Sequence, residues 1–108
     1  MKYALHAYNS SGVDQRGPIR PEIAEALAGA AVKSWVRLQP AESATTVSES
    51  GGKTLLTDGP FVDSKEYLGG VIVIEAANLD EALAIAAEFQ SLMRAFGVIE
   101  VRPVLGTG

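Results

Sequence analysis

Only one side chain in this sequence, His6, has an unperturbed pKa near neutrality. An imidazole acts as a general acid or base when a carboxylate orients it, and Asp58 or Glu100 could take that part. The competing role for His6 is a partly buried ring with a structural hydrogen bond. Asp58 also has two roles open to it: a carboxylate aimed into a pocket, or a side chain that bonds the turn amides of Gly59 and Phe61. His6 and Asp58 are therefore the candidate catalytic residues. Tyr8, Trp35, Lys65, Tyr67 and Arg102 are the candidate ligand contacts. The Arg102 guanidinium can grip a carboxylate in two places, or it can form an ion pair with Glu100 or Glu75. Trp35 is a stacking platform or an interface anchor. Lys65, Glu66 and Tyr67 suit an anionic or phenolic ligand, or form a solvated capping turn.

Several chemistries are not supported. With no Cys and one His among 108 residues, a metal site would need a carboxylate cluster, and none has the spacing. Gly51-Gly52 and Gly69-Gly70 precede no helix, so neither forms a phosphate-binding fingerprint. No Ser sits in a nucleophile-elbow context. No metal and no cofactor are expected. The formal charge of -4 is spread along the chain, which disfavours nucleic acid and anionic lipid as partners. No apolar run approaches membrane-spanning length, the opening residues lack the hydrophobic region of a signal peptide, and nothing requires an oxidising compartment. A cytoplasmic protein is expected.

The elements that must position these residues follow from periodicity. Lys2 to Tyr8 alternates, with Tyr3, Leu5 and Ala7 on one face and Lys2, Ala4, His6 and Tyr8 on the other, as in a half-buried strand. Asn9 to Arg20 reads as a loop, and Pro21 at a first helical position opens a short helix through Ile23, Ala26, Leu27 and Ala30. From Ala31 the period changes to two, with Val32, Ser34, Val36 and Leu38 opposing Lys33, Trp35 and Arg37. Ala44 to Ser48 and Lys53 to Thr57 flank Glu49-Ser50-Gly51-Gly52, whose glycines permit a tight hairpin. Asp58-Gly59-Pro60-Phe61 is a turn, and Asp63 with Glu66 fits a capping box around one helical turn.

Gly69-Gly70 opens the apolar run Val71-Ile72-Val73-Ile74, expected as a central strand buried on both faces. Asn78 as N-cap with Glu81 begins a long helix whose apolar stripe is Leu79, Ala82, Leu83, Ala86, Phe89, Met93 and Phe96, terminated by Gly97. Val98 to Leu105 is a last strand, and its Pro103 fits an edge. The order β-α-β-β-β-β-α-β predicts one α+β domain over residues 1–108. Its plan is a ferredoxin-like split βαβ with an inserted β-hairpin: an antiparallel sheet with two helices on one face.

Five stretches, read in order, carry a family resemblance: Ala44-Thr45-Thr46-Val47, Thr57-Asp58-Gly59-Pro60-Phe61, Lys65-Glu66-Tyr67-Leu68-Gly69-Gly70, Leu79-Asp80-Glu81-Ala82 and Glu100-Val101-Arg102-Pro103. With Met1-Lys2-Tyr3 at the start, they span most of the chain and resemble the DGPF branch of the YCII-related family. The resemblance implies a dimeric α+β barrel in which two sheets pair, with ligand pockets on the face away from the helices. That branch has no agreed activity and is discussed as a companion of extracytoplasmic-function sigma factors. Related YCII proteins resemble enzymes with a His in the first helix and an Asp after the second. Here the first helix carries Glu22 and Glu25, so that pair does not transfer.

A homodimer is also expected on physical grounds, because a sheet with helices on one face leaves an apolar face for which an identical copy is the simplest cover. On that face Lys2, His6, Tyr8, Glu75, Glu100 and Arg102 are expected among Val71, Val73, Val98 and Val104. Two functions fit. One is a dimeric module that binds a small organic ligand or a protein partner. The other is a small enzyme performing proton transfer, isomerisation or elimination on an aromatic or lactone-like substrate, with His6 as base and Asp58 or Arg102 in support.

Overall fold

Strand alternation and helical periodicity resolve into an α+β architecture in the computed structural model, which describes residues 1–10, 17–61, 66–93 and 97–108. The elements are β1 (Lys2–Ser10), α1 (Pro21–Leu27), β2 (Val32–Arg37), a 3-10 turn (Ala41–Ser43), β3 (Thr45–Ser50), β4 (Lys53–Asp58), β5 (Glu66–Glu75), α2 (Leu79–Leu92) and β6 (Val98–Pro103). A four-stranded antiparallel sheet runs β2-β5-β1-β6, and among the described residues β3 and β4 pair only with each other. With that hairpin set aside, the strands lie in the order fourth, first, third, second, the ferredoxin-like split βαβ. Pro103 ends an edge strand, where its missing N–H interrupts no ladder.

The core sits between one sheet face and the helices. Tyr3, Leu5 and Ala7 of β1 and Ile72 and Ile74 of β5 meet Ala82, Ala86, Phe89 and Met93 along α2. Leu5 and Ile74 are fully buried, each worth roughly 1.5–3 kcal/mol of transfer free energy. Helix α1 adds Ile23, Ala26 and Leu27, all only half-buried, so the cover it provides is thin. Arg20 ties the two helices together by donating from its guanidinium to the Leu92 carbonyl.

Several expectations need correction. Leu79 and Leu83 are exposed. The buried line on α2 runs Ala82, Ala86, Phe89 and Met93, flanked by Ile85 and Leu92. The helix ends at Leu92 with Met93 as its C-cap. Phe96 and the expected run to Gly97 fall among residues 94–96, outside the described residues. Glu66 begins β5 and so cannot close a capping box, while the rest of that expected helical turn lies in 62–65, also outside them.

The hairpin turn is tighter than expected. Only Gly51 and Gly52 lie between the strands, at φ 57° and 79°, the left-handed region that a two-residue turn demands. The run Val71 to Ile74 is central but buried on one face only: Ile72 and Ile74 are buried, Val71 and Val73 half-exposed. Strict alternation in β2 also fails. Pairing shifts between Val32 and Ser34, so Val32 and Trp35 both oppose core residues, Ile74 and Ile72.

Candidate functional site

Cross-strand partners in an antiparallel sheet point to the same face, so the register fixes which side chains share the surface away from the helices. His6 lies at its centre, opposite Val71 of β5 and Glu100 of β6. One row along, Ala4 lies between Val73 and Arg102. In the other direction Tyr8 lies between Leu68 and Val98. Val36 of β2 extends the His6 row beyond Val71. The result is an apolar strip bordered by charge on the β6 side.

Glu100 joins the polar residues. Its Oε1 lies 3.8 Å from His6 Nδ1 and 3.2 Å from Arg102 Nη2. The first distance is too long for a hydrogen bond, and it becomes an ion pair only with a protonated ring. Nδ1 itself is buried with no hydrogen-bond partner among the described residues, an arrangement that costs about 1–3 kcal/mol unless something supplies one. The Arg102 side chain is 69% exposed. An exposed pair of this kind is worth only ~0–1 kcal/mol, so its guanidinium can exchange Glu100 for an incoming carboxylate at little cost.

At the far end of the same face, Glu75 accepts a hydrogen bond from the Met1 ammonium at 3.0 Å. That bond holds its carboxyl below the usual glutamate range, helped by the charges of the terminus, Lys2 and Lys33.

His6, Tyr8 and Arg102 are thus brought onto one face, and Glu100 is the carboxylate beside the imidazole. Asp58 is not brought there by pairing, because it opposes Thr45 in the separate hairpin. The turn after it is closed through Gly59, at φ 97°, whose N–H donates to the Ala44 carbonyl at 2.8 Å and whose carbonyl accepts from the Thr46 hydroxyl at 2.8 Å. Trp35 lies on the helix side of β2, opposite Ile72. Tyr67 pairs with Asn9, which alternates with Tyr8 and so points to the other face. Lys65 lies outside the described residues. Leu68 and Val36 belong to the open face but were not expected there. Gly69 is the extra residue of a bulge that returns Leu68 to the side of Tyr8, and no local pattern marks it.

Among the described residues no three His, Asp or Glu side chains gather as metal ligands, and no helix is long and apolar enough to cross a membrane. The family model described as the YCII-related domain matches residues 1–106. An uncharacterised protein of Rhizobium meliloti (strain 1021) is 43% identical over 68 residues, which make up 63% of this chain and 55% of that protein. The chain therefore aligns with little more than half of that relative's length.

Proposed function

The chain belongs to the YCII-related domain family, and we propose that it works as a single-domain homodimer of the DGPF branch that binds a small organic anion between its sheets. The open sheet face is the observation behind this reading. An apolar strip of Val36, Leu68, Val71, Val73 and Val98 lies beside an exposed guanidinium and an imidazole nitrogen that lacks a partner. A second copy covers the strip, and Arg102 takes the ligand's carboxylate. The Asp58-Gly59-Pro60-Phe61 turn, closing the base of the hairpin, supports placement in the DGPF branch. The cytoplasmic, sigma-factor-linked setting rests on that branch and on a chain without cysteine.

The test combines light scattering at micromolar concentration with a thermal-shift and calorimetry screen against small carboxylates and phenols. A dimer that binds carboxylates is expected. A stable monomer, or no response to any carboxylate, would remove the reading.

A second reading is favoured by the unpartnered Nδ1 beside Glu100. In it, His6 is the base of a small enzyme acting by proton transfer, isomerisation or elimination on an aromatic or lactone-like substrate, with Arg102 holding its anionic part. His6→Gln should then abolish turnover while leaving ligand affinity within about threefold; equal loss of both would favour simple binding.

A further inference from the structure

Among the described residues the β3–β4 hairpin pairs with no other strand. Every residue of β3 and β4 except Thr46 is exposed, and the cross-strand pair Val47 and Leu56 is 68% and 65% exposed. A two-stranded ribbon alone in water is marginal, yet this one keeps an unbroken six-pair register over strands about 20 Å long. The Cα radius of gyration is 15.5 Å, against about 13 Å for a compact chain of this length. The accessible surface of 7328 Å² exceeds the roughly 5,700 Å² of a compact monomer of this mass by about 1,600 Å².

We propose that this hairpin is an arm that clasps a second copy of the chain, its Val47–Leu56 face lying against the partner's open sheet face. The inference rests on the homodimer reading above and adds how the dimer is held. Hiding the surplus surface on both copies would bury about 3,200 Å², inside the roughly 2,000–5,000 Å² range of obligate homodimers. Charge agrees with the same occupant. Alternation places Glu49 and Asp58 on the arm face with Val47 and Leu56. At one end of the sheet the Met1 ammonium pairs with Glu75 at 3.0 Å and Lys2 lies opposite Glu75 across the strands, which leaves one positive charge beyond the neutralised pair. A twofold axis makes both contacts at once.

The test compares wild type with the double variant Val47→Lys/Leu56→Lys by sedimentation across a dilution series, using far-UV circular dichroism to confirm the fold. Dissociation at a concentration at least tenfold higher than wild type is expected. As a second readout, Thr54→Cys introduces the sole thiol on the arm face for a spin label. The label should be restricted in the dimer and released on dilution. A dimer constant unchanged by the lysines, or a label equally mobile at all concentrations, would overturn the arm while leaving the homodimer standing. A monomeric wild type would overturn both.

Discussion

The side-chain amide of Asn9 fills the space that a β carbon at Gly69 would need. Gly69 is the extra residue of the β5 bulge, and Asn9 Oδ1 is buried there without a partner among the described residues. Gly69→Ala should therefore destabilise the fold by about 1–3 kcal/mol in urea unfolding. Asn9→Ala in the same chain should recover most of that loss, because the obstacle is one side chain. Gly70 differs: its added carbon would meet the Val36 backbone carbonyl at 2.8 Å, which no side-chain substitution relieves. If the double variant at 69 and 9 is no better than the sum of its singles, the collision is not the cause.

Burial along α2 separates two residues that the sequence pattern groups in one apolar stripe. Leu83 is exposed while Phe89 is buried against the sheet. Phe89→Ala should cost about 3–5 kcal/mol, and Leu83→Ala no more than about 0.5 kcal/mol. Comparable losses for the two in chemical denaturation would mean that the helix is rotated from the position described.

What could be read from the chain was what local chemistry decides. Alternation in β1 assigned Leu5 and His6 to opposite faces, Gly51-Gly52 located the hairpin, and Asn78 located the start of α2; each depends on neighbours in sequence. What could not be read depends on partners distant in sequence. The shift that places Val32 and Trp35 on one face exists only in the pairing of β2 with β5. Asp58 seemed available to His6 because sequence does not say that β4 leaves the main sheet. Val71 and Val73 look like part of a doubly buried strand because they are as apolar as Ile72 and Ile74, and composition does not say that only one sheet face carries helices.

Asn78 Oδ1 accepts the Glu81 N–H at 2.9 Å, satisfying one of the orphan donors at the start of α2. Asn78→Ala should cost about 0.5–2 kcal/mol, whereas Asn78→Ser should be nearly silent, since a hydroxyl can accept the same bond. Equal losses in the two variants, compared by thermal unfolding, would show that the cap contributes nothing.

The lowered Glu75 carboxyl fixes the sign of a pH effect. A carboxylate that binds its proton less readily in the folded state stabilises that state fully above the ordinary glutamate value of 4.5. The benefit fades as pH falls through the lower folded value. The stability difference between wild type and Glu75→Gln should therefore be largest near neutrality and vanish in acid. It should also shrink with salt, since Glu75 is exposed. A difference that grows on acidification would reverse the assignment.

Under the proposed function, variants of Arg102 should separate ligand capture from sheet pairing. Its guanidinium is largely exposed and, among the described residues, held by Glu100 at 3.2 Å, which leaves it well placed to meet a carboxylate from solution. Arg102→Ala should weaken carboxylate binding at least tenfold by calorimetry. Arg102→Lys, with the charge but not the planar fork, should fall between that variant and wild type. Neither should move the dimer constant more than about threefold, because in the proposed dimer the apolar strip rather than this edge residue would supply most of the interface energy. Unchanged carboxylate affinity in Arg102→Ala would place the anion site elsewhere on the molecule, and a collapse of the dimer in both variants would make Arg102 an interface residue first.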